Sequence, residues 1–352
     1  MDRDPTPSFA DQLASTLTGG ALTMLISVGY RVGLFEAAAP GPATSAVLAG
    51  RAGLQERYVT EWLGAMVTGG LFGYDPASQQ YYLPPDHARL LTGDGAANVA
   101  PVASMLRALG GALPDLERCF AAGGGLPHAV FAPHFAAAGA QPGDTWRRIY
   151  DEQLVDGFLG AVPGLPARLA AGALVLDVGC GSGHAVTVAA RAFPASRFLG
   201  LDIDEHLVAV AAAERAGLGL GNAAFVVADA AVLPARPRFD VITAFDAVHD
   251  QHSPQQVLRR VRGALAPGGL FVMVDAKFSS DLAGNIGHPL AALCYAISVL
   301  YCTPVSLAGG GAGLGAMWGT ERARQMLAEA GFGQVEVLDS PRPQNCIYAC
   351  RP

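Results

Sequence analysis

The second half of the chain alternates short apolar runs with helical segments. Alternation of this kind predicts a parallel β-sheet covered by helices on both faces. The last two apolar runs differ, because only the short turn SPRPQN separates them, and we expect them to pair antiparallel. The prediction is an α/β, Rossmann-like sheet of seven strands with an antiparallel last strand. The predicted strands are Leu174–Val178, Phe198–Leu201, Ala224–Val227, Phe239–Ala244, Leu270–Asp275, Gln334–Leu338 and Cys346–Cys350.

The N-terminal part of the chain combines helical spacing with a hairpin pattern. Apolar residues recur at helical intervals in three segments, and two short apolar runs around a polar turn follow them. Three helices and a hairpin are typical of a mainly α-helical, winged-helix-like domain, which we expect over residues 1–95, with residues 1–17 as a mobile or docking arm. The helical segments are Ala21–Phe35, Ala43–Ala49 and Gln55–Thr68, and the hairpin runs are Leu71–Tyr74 and Tyr81–Leu83.

Residues 96–170 are expected to form a helical connector with a lid loop. The stretch Gly123–Pro142 is rich in Gly, Pro and Ala, which predicts a long loop, and long loops in compact chains are often lids or binding segments. Thr145–Ala170 has helical spacing with a break near Pro163. It leads into the first strand of a domain that we expect over residues 171–352.

Composition and charge narrow the function. Charged residues make up 15% of the 352 residues, and the net charge is −7. Four Arg and five acidic residues lie between Ala21 and Thr92, so the predicted winged helix lacks the positive surface that supplies most of the affinity for nucleic acid. The six Cys form no CxxC pair and have no His at metal-ligand spacing, so we expect no metal. No basic leader precedes an apolar run, and Ala291–Leu300 is too short to cross a bilayer, so we expect a cytoplasmic protein without a membrane partner.

A glycine-rich turn follows the first predicted strand. Gly179, Gly181 and Gly183 let the backbone turn sharply and let a ligand approach it closely, and the next helix points free N–H groups at that ligand. The dinucleotide pattern GxGxxG would need glycine at 184 or 186, where the chain has His184 and Val186. The turn therefore predicts a nucleoside-containing ligand other than a dinucleotide.

Acidic residues end three of the predicted strands. Asp177 would repel a phosphate but suits a cationic amino-acid group. Asp202 is placed to accept hydrogen bonds from ribose hydroxyls, and Asp229 is placed to accept one from the adenine amino group. A ligand with a positive charge, a ribose and an adenine fits S-adenosyl-L-methionine and not NAD. We therefore expect S-adenosyl-L-methionine as the cofactor.

Five motifs together carry a family resemblance. Through LDVGCGSG, GLDID, VVADA, FDVITAFDAVHD and LAPGGLFVMVD, the second half resembles the class I S-adenosylmethionine-dependent methyltransferases. The N-terminal half resembles the winged-helix dimerisation domain of small-molecule methyltransferases, which implies a homodimer. Phe245 stands where plant enzymes have a Lys that contacts the cofactor. The resemblance implies a cofactor site at Asp177, Gly179, Cys180, Gly181, Gly183, Asp202, Ile203, Asp229, Ala230 and Phe245.

One histidine resembles a known general base. His249 matches the His of the HDW motif of plant-type O-methyltransferases, although Gln251 replaces the Trp. A His in water titrates near neutrality, so it can accept a phenolic proton at working pH. Asp250, or Asp275 at the end of strand five, would orient the imidazole. The alternatives are that His249 and Asp250 only cap the following helix, or that another His is the base; His252 is the nearest, and His128 and His134 are weaker.

The insertion after strand five is expected to form the acceptor pocket. Ile286–Thr303 is predicted as a helix outside the sheet pattern, and the glycine run Gly309–Gly315 follows it. Its apolar and aromatic residues favour a neutral, aromatic acceptor, although ordinary core packing explains some of them equally well. The predicted pocket residues are His128, Tyr295, Met317 and Trp318.

The sequence thus predicts an S-adenosylmethionine-dependent methyltransferase with a small, apolar or aromatic natural-product acceptor. O-methylation with His249 as general base is the leading reaction. C- or N-methylation of an aromatic heterocycle such as an indole remains open, because the same His can remove a proton from a ring. A winged-helix regulator that senses S-adenosylmethionine is the alternative from another class, and the charge balance of its winged helix disfavours it.

Overall fold

The computed structural model describes residues 8–140, 143–234 and 239–352. The chain divides into two compact units, and it passes between them more than once. The first unit comprises Met1–Gly110 and His134–Thr145, and the second comprises Gly111–Pro133 and Trp146–Pro352. Two helices, α8 (His128–Ala138) and α9 (Asp144–Gln153), therefore contribute residues to both units.

The first unit has the winged-helix pattern. Its hairpin pairs β1 with β2 antiparallel, and its core contains an aromatic triad in which the Trp62 ring lies 5.3 Å from Phe35 and 5.4 Å from Phe72. The predicted three helices and hairpin are confirmed. Its elements are α1 (Phe9–Arg31), α2 (Leu34–Ala38), α3 (Ser45–Ala52), α4 (Glu56–Thr68), β1 (Gly73–Asp75), β2 (Gln80–Tyr82), α5 (Pro85–Leu91) and α6 (Ala100–Gly110).

The second unit is built on a seven-stranded sheet. The strand order is β5-β4-β3-β6-β7-β9-β8, and β9 runs antiparallel to both of its neighbours, as predicted. The central strands β6 and β7 are buried along almost their whole length. The strands are β3 (Leu174–Val178), β4 (Arg197–Asp202), β5 (Ala223–Val227), β6 (Phe239–Phe245), β7 (Leu265–Ala276), β8 (Gln334–Asp339) and β9 (Asn345–Arg351).

Helices cover this sheet and fill the insertion after β7. Two π-helical turns, Leu154–Leu159 and Ser298–Cys302, interrupt the helical segments, and 3₁₀ turns lie at Ala230–Val232, Leu282–Asn285 and Ala308–Gly310. The helices are α7 (Leu113–Ala122), α10 (Leu165–Ala171), α11 (His184–Ala192), α12 (Glu205–Gly217), α13 (Pro254–Ala264), α14 (Ala291–Ile297), α15 (Thr303–Leu307) and α16 (Gly319–Glu329).

Three predicted segments differ from the structure. The expected N-terminal arm is helical from Phe9, because Ser8 and Asp11 form a reciprocal capping box; residues 1–7 lie outside the described residues. The expected loop over 123–142 contains α8, with Pro133 inside it, and residues 141–142 lie outside the described part. The helix expected from Ile286 begins only at Ala291.

Within residues 8–140, 143–234 and 239–352, two helical runs are long and apolar enough to cross a bilayer by length and composition alone. They are Phe9–Arg31, with a mean hydropathy of 1.3, and Ala291–Gly310, with 1.7. The second run is longer than the predicted Ala291–Leu300 because π and 3₁₀ turns continue it. Core helices of soluble proteins have the same length and hydropathy, so these two properties alone are weak evidence for a membrane span.

Candidate active site

The glycine turn joins the carboxyl end of β3 to the start of α11. Gly179 and Gly183 both have φ near +70°, a conformation that costs glycine little. A Cβ at Gly183 would also lie 2.5 Å from Ala211 Cβ, and one at Gly179 would lie 2.7 Å from Ala247 Cβ. The backbone N–H of Gly179 donates to Leu201 O at 2.8 Å, which fixes the turn against the end of β4. The sequence thus needs glycine here for both conformation and packing.

Asp202, at the end of β4, holds this turn directly. Its Oδ2 accepts from the Gly181 N–H at 2.7 Å, and its Oδ1 accepts from the Asp204 N–H at 2.9 Å. The neighbouring Ile203 is 64% exposed. At the end of β5, Asp229 accepts from the Ala231 N–H at 2.8 Å and begins the 3₁₀ turn that buries Ala230. The predicted ribose and adenine residues thus follow the carboxyl ends of adjacent parallel strands.

Asp177 is a buried acid inside the end of β3. It is 5% exposed, and Thr243 Oγ1 donates to its Oδ1 at 2.6 Å. Burial raises the pKa of Asp177 to about 7; the Thr243 hydrogen bond opposes this shift, and Asp202 adds to it. Burial likewise raises the pKa of the nearby Cys180 thiol far above its ordinary value. A cation bound near Asp177 would favour its ionised form.

Aromatic side chains pack beside the end of β6. Trp146 stacks on Tyr150 at 5.3 Å, and Tyr150 meets the edge of Phe245 at 5.5 Å. Phe245 and Asp177 also line a small, mainly apolar cavity next to the sheet. The Trp146 indole N–H donates to Asp246 Oδ2 at 3.3 Å. Neither Trp146 nor Asp246 was predicted as a site residue.

Asp246 follows β6 in a strained conformation. Its φ is +53°, which is uncommon for a residue with a side chain, and its N–H donates to Val274 O at 2.8 Å. Burial raises the pKa of Asp246 to about 6, while His249 opposes the shift. The sequence signal for this position was its place directly after a buried strand.

His249 is almost fully buried, at 1% exposure, with an acid on each side of its ring. Nδ1 lies 2.8 Å from Asp275 Oδ1, and Nε2 lies 3.3 Å from Asp250 Oδ1. Burial lowers the pKa of His249, but Asp275 and Asp250 outweigh it, and the pKa is raised well above its ordinary value. The two carboxylates that were expected to orient His249 thus also separate its pKa from that of a His in water, and its role as general base stays a prediction.

Trp318, a predicted pocket residue, lies in the core beside Asp275, and its substrate role stays a prediction. Its indole is 5% exposed, packs in the core of the sheet, and donates from Nε1 to Asp275 Oδ1 at 3.0 Å. Asp275 itself is fully buried, and its Oδ2 has no hydrogen-bond partner among the described residues. We call Asp246, His249, Asp250, Asp275 and Trp318 the His249 cluster.

The other predicted pocket residues lie in separate contacts. His128 Nδ1 is 2.9 Å from Tyr301 Oη, and Leu126 N donates to Pro304 O at 2.8 Å, so the segment 123–133 packs against the insertion. Tyr295 accepts from Asn285 Nδ2 at 3.1 Å, and Met317 packs with Phe278. The structure does not join these residues into one pocket, and their substrate role stays a prediction.

His252, the nearest alternative base, and two groups of possible metal ligands lie at or near the candidate site. His252 is exposed, with Nε2 3.1 Å from Gly309 O and Nδ1 3.0 Å from Ser253 Oγ. In the part of the chain that the structure describes, two groups of side chains are close enough to share a metal ion: His249, Asp250 and Cys302, and Asp246, His249 and Asp275. The absence of a metal therefore stays a prediction.

Family models match both parts of the chain. Residues 20–93 match an Rv2258c-like winged HTH domain, and residues 169–333 match a methyltransferase domain. These matches and the seven-stranded sheet define the class of protein: the chain combines an N-terminal winged helix-turn-helix domain with a methyltransferase domain.

Curated relatives match a smaller part. A trans-aconitate 2-methyltransferase from Methylobacterium radiotolerans is 30% identical over 125 residues, which are 36% of this chain and 44% of the relative. One from Variovorax paradoxus is 34% identical over 131 residues, 36% of this chain and 47% of the relative. The chain thus covers less than half the length of the curated relatives that it matches.

Solved structures match almost the whole chain at low identity. An O-methyltransferase family protein from Burkholderia thailandensis has a TM-score of 0.72 at 16% identity over 98% of each chain. The mitomycin 7-O-methyltransferase MmcR has 0.67 at 20% identity over 97% of each chain. Human N-acetylserotonin methyltransferase in complex with S-adenosylmethionine has 0.67 at 17% identity over 99% of each. These likenesses show the fold.

Proposed function

We propose that the protein is an S-adenosylmethionine-dependent O-methyltransferase with a small, apolar or aromatic acceptor, and that His249 is its general base. The observation that carries this proposal is the arrangement of His249. Asp275 fixes Nδ1 at 2.8 Å, which leaves Nε2 as the nitrogen that can face an acceptor hydroxyl. A carboxylate that holds one ring nitrogen orients an imidazole for proton transfer at the other.

The residues around the glycine turn fit the cofactor. S-adenosylmethionine supplies a methyl group on a positively charged sulfur. Asp177 offers a buried acid whose ionised form a cation would stabilise, and Gly179 and Gly183 leave the backbone accessible. Asp202 and Asp229 stand at the ends of adjacent strands, as a ribose and an adenine require. The human methyltransferase with this fold binds S-adenosylmethionine, which supports the assignment.

The charge around His249 defines its part in the reaction. Its neutral form accepts the proton of an acceptor hydroxyl at Nε2, and Asp275 and Asp250 stabilise the imidazolium that results. The raised pKa makes His249 a strong base, and it also means that a smaller fraction is neutral at neutral pH. Asp250 must move away from Nε2 to admit the acceptor, because its Oδ1 lies 3.3 Å away.

The negative charges around His249 bear on the charge of the acceptor. Two structural neighbours are O-methyltransferases by name, and one of them is a mitomycin 7-O-methyltransferase. The curated relatives act on trans-aconitate, a polyanion, but they match only 36% of this chain. Three carboxylates of the His249 cluster, Asp246, Asp250 and Asp275, would repel a polyanion. We therefore favour a neutral acceptor for this chain.

Substitution of His249 by Asn tests the base. Asn can still donate to Asp275 but cannot accept a proton, so we expect a loss of kcat of about a hundredfold or more. The assay is the mass shift of a panel of phenols, indoles and related compounds incubated with S-adenosylmethionine. Calorimetry should show unchanged cofactor affinity. His252→Asn is the matched control, because His252 is the neighbouring histidine and lies outside the His249 cluster.

The outcomes separate the alternatives. Full activity of His249→Asn would exclude the base role, and loss of activity in His252→Asn would transfer it. Methylation of an indole carbon or nitrogen, rather than a phenol oxygen, would establish the second reaction. Tight, salt-sensitive binding to DNA in a mobility-shift assay, without methyl transfer, would support the regulator.

We also propose that the protein is a homodimer through its N-terminal unit. Helix α1 exposes an apolar stripe at helical spacing, and each of its side chains is at least 37% exposed. Stripes of this kind are common at protein interfaces. The stripe consists of Phe9, Leu13, Leu17, Met24 and Val28 of α1, and of Val32 at its C-cap.

A further inference from the structure

The proposed base is connected to a buried tryptophan. Asp275 Oδ1 accepts from Trp318 Nε1 at 3.0 Å and from the Ala276 N–H at 2.8 Å, and it lies 2.8 Å from His249 Nδ1. Trp318, Asp275 and His249 are 5%, 0% and 1% exposed. One carboxylate oxygen therefore receives all three donors in a part of the protein that excludes bulk water. Interactions between such groups are stronger than they would be at the surface.

We propose that Trp318 is a positioning residue, which sets the orientation and the basicity of His249 through Asp275. The proposal rests on the proposed function of His249. The indole N–H neutralises part of the charge on Asp275 Oδ1. Without it, that oxygen would stabilise the imidazolium more strongly, and the neutral, proton-accepting form of His249 would become rarer at neutral pH. The indole also limits the rotation of the Asp275 carboxylate.

Other groups that face His249 leave this connection distinct. Asp250 lies on the Nε2 side. Asp246 forms no hydrogen bond to the ring among the described contacts, but its charge interacts with that of His249. Cys302, from the π-helical turn, also interacts with His249. No contact joins Trp318 to Asp246, Asp250 or Cys302 among the hydrogen bonds of the described residues. A change at Trp318 therefore reaches His249 through Asp275.

The test removes the indole N–H by two substitutions. Trp318→Phe removes it and leaves a small cavity. Replacement of Trp318 by 3-benzothienylalanine removes it and keeps the shape of the ring. The matched control is Trp62→Phe. Trp62 is also 5% exposed, and its Nε1 donates at 2.9 Å to a neutral acceptor, Leu25 O, in the other compact unit. Both changes thus remove one buried indole hydrogen bond.

The expected result is a shift of the pH profile. For both Trp318 variants, the acid limb of kcat should move up by about one pH unit, so that kcat below the limb is about tenfold lower. The plateau at high pH should stay, because His249 is then neutral in every variant. Trp62→Phe should leave the limb in place. A uniform loss of kcat at every pH, with an unmoved limb, would show a merely structural role and overturn the proposal.

A second measurement does not depend on methyl transfer. The ring nitrogens of ¹⁵N-labelled histidine report the pKa of His249 in the protein alone, and the missing signal of His249→Asn assigns it. The pKa should rise in the Trp318 variants and stay constant in Trp62→Phe. An unchanged pKa would overturn the proposal. A raised pKa with an unmoved kcat limb would keep the Trp318 connection and contradict the base role of His249.

Discussion

Removal of the charge of the buried acid Asp177 should have opposite effects on stability and on cofactor binding. We expect Asp177→Asn to stabilise the protein without cofactor at neutral and higher pH, and to weaken the binding of S-adenosylmethionine. Asn keeps the volume of Asp, and its carbonyl can accept the hydrogen bond from Thr243 Oγ1. Asn lacks the negative charge of Asp177. That charge destabilises the protein when the site is empty, and it would attract the cationic cofactor.

The magnitude follows from the pKa. Burial raises the pKa of Asp177 from 3.8 to about 7 in the folded protein. Between these values the unfolded chain loses its proton while the folded protein keeps it, so stability falls as pH rises through this range. A shift of about three units corresponds to a cost on the order of 4 kcal/mol, which is fully present above about pH 7 and absent below about pH 4.

Urea unfolding at a series of pH values measures this cost. The free energies of unfolding of wild type and Asp177→Asn should coincide at acidic pH and diverge toward neutral pH, with the variant more stable. Calorimetry should show at least about tenfold weaker binding of S-adenosylmethionine to the variant. Glu336→Gln removes an exposed acid on β8 and should show neither effect. A stability difference that does not depend on pH would refute the reasoning.

Two further predictions concern catalysis and assembly. Because Asp275 and Asp250 raise the pKa of His249, kcat should increase as pH rises above neutrality. The stability that the charged ring contributes should be lost over the same pH range. The pH dependence of kcat and of the free energy of unfolding measures these two effects. Because α1 exposes an apolar stripe, Leu17→Asp combined with Met24→Glu should convert a dimer into a monomer in light scattering after size exclusion.

Each of these predictions has a matched control. His249→Asn should remove the pH-dependent step in stability, and a kcat that is flat from neutral to alkaline pH would contradict the first prediction. Ser15→Asp places a charge on the face of α1 opposite the stripe and should leave the dimer intact. A wild-type monomer that sediments with lipid vesicles would show that the stripe contacts a membrane instead.

Apolar runs predicted the sheet well. The central strands of the second unit are mostly buried, so apolar runs mark where they lie, and Leu174–Val178 agrees with the prediction to the residue. The short turn between β8 and β9 allowed only antiparallel pairing. The loop predicted over 123–142 from its Gly and Pro content was wrong in part, because α8 forms there with Pro133 inside it. The capping pair Ser8 and Asp11 was the available signal for the start of α1.

The chemistry of the candidate site was harder to predict than its location. His249 could be found by its motif, but its pKa depends on Asp275, which another strand brings to 2.8 Å. Trp318 is distant in sequence from both residues, and only the fold brings its indole to the carboxylate. Sequence alone does not show which aromatic residues of the insertion pack on the sheet, so the predicted pocket residues stay a prediction.

The path of the chain between the two compact units limits how this protein can be recombined with its relatives. Residues 111–133 belong to the same unit as the methyltransferase domain, although they lie outside both matched regions. Leu126 and His128 bind Pro304 and Tyr301 of the insertion. A chimera joined at residue 146 would inherit the insertion without the segment that packs on it. The two pieces would therefore have to be transplanted together for this packing to be kept.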